Sequence, residues 1–187
     1  MIEDFAKIVT QAFSFMEVAG FKVEMIDSTQ VLYKSDDAFL VVSWDPRSGE
    51  LDAFVGLLPR TGLARDEYSI ADVMGASGAP EADCKLAQVT DPRKLGPFVD
   101  QLAVHLRTHG QRALVGDQAY FKSLEVFRAV KAERDMLAMR LRQVRSQAEQ
   151  AWQDQQYDRV DELYSSVKEE LTQSERRKLE YARIRRS

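Results

Sequence analysis

Residues 38–44, AFLVVSW, read as a β-strand with apolar side chains on both faces: Phe39 and Val41 with Ser43 on one, Leu40, Val42 and Trp44 on the other. A strand wet on one side alternates apolar with polar residues, so this pattern predicts a strand covered on both sides. Turn-forming residues bracket it, Ser35-Asp36-Asp37 before and Asp45-Pro46-Arg47-Ser48-Gly49 after. Upstream, Phe21, Val23 and Met25 alternate with Lys22 and Glu24, and Val31 to Tyr33 returns after a polar turn at Asp27, Ser28 and Thr29. Downstream, Leu51 to Leu58 forms another strand, closed by Pro59. The whole segment is predicted as an antiparallel β-meander.

Helical periodicity flanks it. Ile2, Phe5, Ile8, Val9, Ala12, Phe13 and Met16 fall at three- and four-residue steps, predicting a helix from Glu3 to Ala19 ended at Gly20. With this helix on one face of the sheet and later helices on the other, the fold class is α+β. Pro59 to Glu67 reads as a polar loop, and Ser69 with Asp72 opens a short helix through Met74. A flexible connection, GASGAPEAD, follows at 75–83, and Lys85 to Thr90 is a short strand. Asp91-Pro92 then starts a helix that runs to His109 and stops at Gly110.

From Gly116 to Gln156 the chain has no proline and no internal glycine, and Asp117 is placed to cap a single long helix. At ~1.5 Å per residue it would span roughly 55 to 60 Å, so its far end needs something to pack on. Tyr157, Val160, Leu163, Tyr164, Val167 and Leu171 mark the next helix, and the capping box Thr172-x-x-Glu175 opens a last one. The expected organisation is an α+β domain over residues 1–116 and a helical extension over 117–187. Leu137, Leu141, Val144, Ala148 and Ala151 step by four, three, four and three, a seam that faces either the chain's own later helices or a second copy. The internal partner is favoured, because few heptads keep the pattern; monomer and homodimer both stay open.

With 44% hydrophobic and 30% charged residues among 187, the chain has the composition of a folding globular protein. It has no apolar run near the ~20 residues of a membrane-spanning helix, and its acidic, amphipathic start does not read as a signal peptide. A cytoplasmic protein without membrane partners is expected. Cys84 is the only cysteine, which excludes an intramolecular disulfide and leaves a reduced thiol. The net charge of −4 is unevenly placed: 17 acidic and 11 basic residues up to Gly116, against 13 and 15 beyond it. An acidic front half suits a basic protein partner and disfavours a nucleic-acid surface there.

No motif of catalysis or cofactor binding stands out. His105 and His109 lie one helical turn apart, but Leu106 occupies the position where a zinc hydrolase carries its glutamate. Gly75 to Pro80 lacks the Gly-Lys-Ser/Thr ending of a phosphate loop, and Ser43, Ser69 and Ser77 have no nucleophile-elbow setting. No cofactor or metal is expected. Asp36, Asp37, Asp45, Glu50 and Asp52 gather around the hairpin ends, as turn formers and edge charges, as a recognition surface, or as a general-acid pair or hard-cation site. Arg176, Arg177, Lys178, Arg183, Arg185 and Arg186 make the tail basic, as a solvated helix or as a contact to RNA or anionic lipid.

Several segments resemble a group of largely uncharacterised bacterial α+β proteins, some of which are similar to immunity proteins of contact-delivered toxins. They are MEVAGFKVE at 16–24, the meander, DEYSIADVMGA at 66–76, LVGDQAYFKSLEVFR at 114–128 and AEQAWQDQQYDRVDELYSSVKEELTQSERRKLEYAR at 148–183. The last segment carries the resemblance most specifically. The resemblance implies a bacterial cytoplasmic protein and brings no catalytic residues. The expected function is a non-enzymatic protein-binding module, of which an inhibitor sequestering a basic toxin domain is one form. Asp36, Asp37 and Asp45 would steer the partner, and Trp44 and Arg47 would anchor it. The alternative is a nucleic-acid-associated protein using Arg140, Arg142, Arg145 and the basic tail, and a third reading is a metal-dependent hydrolase at His105 and His109.

Overall fold

The structure, a computed structural model, describes residues 2–58, 67–85 and 87–185. Residues 59–66 of the polar loop, the Leu86 position of the short strand, and Arg186 of the basic tail lie outside the described residues, as do the side chains of Ile2, Glu3 and Asp4. The fold is α+β: an antiparallel meander with helices before and after it, a long helix, and C-terminal helices. It divides into two compact units, Met1–Arg128 and Ala129–Ser187.

In the first unit, α1 (Ile2–Ala12) and the short α2 (Phe15–Val18) replace the single helix expected from Glu3 to Ala19. At Ser14 the bonding tightens, with Ser14 N–H donating to Gln11 C=O, Met16 to Phe13 and Glu17 to Ser14. Bonding at i−3 brings residues three apart into line. Phe13 and Met16 are thereby both completely buried. Gly20, at φ +85, ends the segment.

The sheet runs β1 (Lys22–Ile26), β2 (Gln30–Lys34), β3 (Ala38–Trp44), β4 (Glu50–Leu57) and β5 (Glu67–Ser69) in that order, all antiparallel, with the two-residue β6 (Ala87–Gln88) also pairing with β4. Its register separates two faces. Val31, Tyr33, Leu40, Val42, Trp44, Leu51, Ala53 and Val55 belong to the main core. That core also holds Phe5 and Val9 of α1, Val73 and Met74 of α3 (Ile70–Ala76), and Val99 and Leu106 of α4 (Leu95–His109). The short α5 (Gln111–Leu114) and the first turns of α6 (Gln118–Gln153) join it through Leu114, Tyr120, Phe121 and Leu124.

The helices of the first unit therefore share one face of the sheet, whereas helix one was expected on one side and later helices on the other. On the opposite face Leu32 and Phe39 are buried outside this cluster, but Val41, Ser43 and Phe54 are only half-buried. The expectation that Val41 is buried with its neighbours is corrected accordingly. Asp91 caps a 3-10 turn at Pro92–Lys94 that leads into α4, its carboxylate accepting from Arg93 N–H. Asp117 caps α6 by accepting from Tyr120 N–H at 3.1 Å.

The second unit holds the later turns of α6, with α7 (Tyr157–Ser165) and α8 (Gln173–Arg185). Val144, Ala148 and Ala151 of α6 pack with Val160, Leu163 and Tyr164 of α7, Val167, Leu171, and Leu179 and Ala182 of α8. This part of the seam is internal. The capping box closes in both directions: Thr172 N–H donates to the Glu175 carboxylate at 2.7 Å and Glu175 N–H to the Thr172 hydroxyl at 3.3 Å.

Candidate functional site

The more open sheet face carries a row of polar side chains at one end. Register pairs Gln30 with Ser43 and Ser43 with Asp52, so three successive strands place a polar residue at the same step. The next row is apolar, with Leu32, Val41 and Phe54. Gln30, Ser43, Asp52 and Phe54 line a cleft of about 270 Å³ at the polar end, together with Thr29, Trp44, Asp45, Pro46 and Glu50. The volume lies just below the range usual for small-molecule sites and suits a single inserted side chain.

The β3–β4 turn forms one wall and is held tightly. The Asp45 carboxylate accepts from Arg47 N–H at 2.8 Å and from the Ser48 hydroxyl at 3.1 Å. The Arg47 amide, with Ser48, holds that carboxyl below the usual aspartate range. Gly49 sits at φ +75 and is buried, and a Cβ there would stand 3.0 Å from the Thr90 methyl. Gly49 C=O accepts from Val89 N–H, and the Trp44 indole N–H donates to Val89 C=O at 2.9 Å. Trp44 is 8% exposed, with its ring against Phe5 at 6.2 Å.

Asp52 forms the floor. It is 5% exposed and accepts from Ala53 N–H at 2.7 Å. Burial pushes its carboxyl up to about 7, against the opposing backbone amides of Ala53 and Ile70 and helped by the nearby Asp72 and Glu50 charges. Among the described residues no lysine, arginine or histidine lines the cleft. Its chemistry is that of an acidic recess, one of whose carboxyls exchanges its proton near neutral pH.

The fold brings together only part of the expected site. Trp44 and Asp45 line the cleft, while Arg47 is exposed on the turn beside it and outside the lining. Asp36 and Asp37, both exposed, occupy the β2–β3 turn at the other end of β3, roughly 20 Å away for a seven-residue strand. Asp37 instead abuts Gly116, whose φ of +68 and missing Cβ permit the approach. Gln30, Ser43 and the floor role of Asp52 were not singled out from the sequence. Their signal was a polar residue recurring at one register step in otherwise apolar strands.

His105 and His109 have ring centres 6.5 Å apart. His109 Nδ1 lies 2.7 Å from the Ser77 hydroxyl, and burial, with His109 adding to it, holds His105 below its ordinary value. Among the described residues no group of three or more His, Cys, Asp or Glu side chains is placed to hold a metal ion, and no helix is long and apolar enough to cross a membrane. A second, larger cavity of about 620 Å³ lies between α1 and the Asp91–Leu95 turn, lined by Phe5, Ile8, Trp44 and Leu95. Its polar lining is Lys7, Gln11, Asp91 and Arg93, the last two bonded to each other at 3.0 Å.

Compared with protein-family models, with curated proteins and with solved structures, the chain matches none of the three.

Proposed function

We propose that the protein is a non-enzymatic protein-binding module whose acidic cleft receives a lysine or arginine side chain of a basic partner. A toxin domain neutralised by this chain is the partner class that its resemblance to bacterial immunity proteins favours. The observation that carries the reading is the lining of Asp45, Glu50 and Asp52, with no cation among the described residues of the cleft. A cation entering the recess would meet Asp52 in its half-protonated state at neutral pH and displace its proton.

The basic residues on which a nucleic-acid reading rests are largely engaged within the chain. Arg145 pairs with Glu175 at 2.7 Å, Lys178 with Glu149 at 2.5 Å and Arg183 with Asp161 at 2.8 Å, while Arg140 donates to Ser166 C=O. This supports a protein partner over RNA or DNA.

Calorimetric titration with an arginine-rich peptide in two buffers of different ionisation enthalpy tests the proposal. Binding should release a fraction of a proton near pH 7 and strengthen as pH rises from 6 to 8, and both effects should vanish in Asp52→Asn. Binding unchanged by Asp52→Asn and Glu50→Gln together would overturn it, as would tighter, salt-sensitive binding to single-stranded RNA.

A further inference from the structure

The apolar stripe of α6 is longer than its cover. Val144, Ala148 and Ala151 are 8%, 0% and 4% exposed beneath α7 and α8. The same stripe continues toward the N-terminus through Leu141, half-buried, to Leu137 at 40% and Val130 at 59% exposure. Val130, Arg134, Leu137 and Leu141 keep the four, three, four spacing of a heptad seam, so the uncovered turns prolong an interface already used within the chain.

We propose that residues 130–141 of α6 pair, antiparallel, with the same residues of a second copy of this chain. In an antiparallel pair that sets Val130 against Leu141 of the second copy, Arg134 lies against Leu137, where its aliphatic stem packs on the leucine and its charge stays in water. The flanking positions then meet as Glu133 with Arg140, twice by symmetry. A parallel pair would instead bring Arg140 toward Arg145 and set Glu133 against Ala138. One Arg140 N–H donates to Ser166 C=O at 3.0 Å, and the guanidinium has further donors to reach a carboxylate.

The overlap is short. Twelve residues cover about 18 Å of helix, less than a standard dimer interface needs, so the association is reversible and concentration-dependent. This sets it apart from the cleft, which is a separate surface.

Sedimentation equilibrium of the full chain over a concentration series tests the inference. The wild type should show a monomer–dimer equilibrium. Leu137→Glu should weaken it by about tenfold or more, equivalent to about 1.4 kcal/mol, with an unchanged thermal melt because the position is open to water. Glu133→Arg should weaken it as well, and Glu133→Arg combined with Arg140→Glu should restore it. A wild type monomeric up to ~1 mM, near the weak end of measurable affinity, or a dimer indifferent to Leu137→Glu, overturns the pairing. Failure of the double variant to recover while its melt is intact overturns the antiparallel register.

Discussion

A Cβ on Gly75 would stand 2.5 Å from Cζ of Phe127, so the last turn of α3 and the early turns of α6 meet at a distance that only glycine permits. Gly75 has an ordinary helical backbone and no need for left-handed freedom. Its role is close approach, and Phe127 must shift if a methyl group is added. Gly75→Ala should lower stability by about 1–3 kcal/mol despite alanine's better helix propensity. Equilibrium urea unfolding measures this, and a stabilised variant would show that Phe127 moves aside freely.

Asp52 should make stability fall as the solution becomes more alkaline. Its folded-state carboxyl is raised to about 7, above its unfolded value, so the folded chain holds the extra proton between those two values. Stability should therefore decline as pH rises through that window and level off above it. Asp52→Asn should flatten this slope and, at pH 8, gain on the order of 2 kcal/mol. Thermal melts from pH 5 to 9 for both proteins give the comparison.

The Tyr33 hydroxyl is buried with no hydrogen-bond partner among the described residues, and burial, with Glu17 nearby, pushes its pKa up to about 12. An unpaired buried donor costs about 1–3 kcal/mol of desolvation. Tyr33→Phe keeps the ring and its packing on Phe13, at 6.3 Å, and removes the hydroxyl. It should be neutral or stabilising by about 1 kcal/mol in guanidinium unfolding.

Gln155 has φ +59 just after α6, and Gln156 N–H donates back to Ala151 C=O at 2.8 Å. This is a helix end in which a left-handed residue is required and glycine is the usual occupant. Gln155→Gly should relieve the side-chain crowding and raise the unfolding midpoint, by about 0.5–1 kcal/mol after the extra freedom of glycine in the unfolded chain is counted.

Neighbouring valines on β3 should respond unequally. Val42 is 0% exposed in the main core, whereas Val41 is half-buried on the other face. Val42→Ala should cost about 1–3 kcal/mol and Val41→Ala less than half of that. Equal losses would mean that the second face is as dry as the first.

The meander, the long helix and its Asp117 cap, and the Thr172–Glu175 capping box were legible because each depends on residues close together in the chain. The layering was not. An apolar Phe39 and Val41 say that a face avoids water, but not which helix, if any, covers it. The break at Ser14 was hidden because Phe13 and Met16 fit the helical period whether the chain turns by four or by three. At the site, chain proximity misled. Asp36, Asp37 and Asp45 look like one cluster along the sequence, yet the length of β3 separates them, while Gln30, Ser43 and Asp52 become neighbours only once strand register is known.

At the outer strand β1 all five residues are exposed, including Val23, Met25 and Ile26, and the pairing to β2 slips at a bulge between Val23 and Met25. Crowded chains emerging from synthesis tend to extend one another's sheets wherever a rim offers an unbroken run of amides and carbonyls. Here the run changes phase after Val23, so a stranger's strand that fits one side of the bulge is out of step on the other. Lys22 and Glu24 add charge to the same few residues. A rim that is apolar enough to stick thus offers a broken template rather than a continuous one to any strand that meets it.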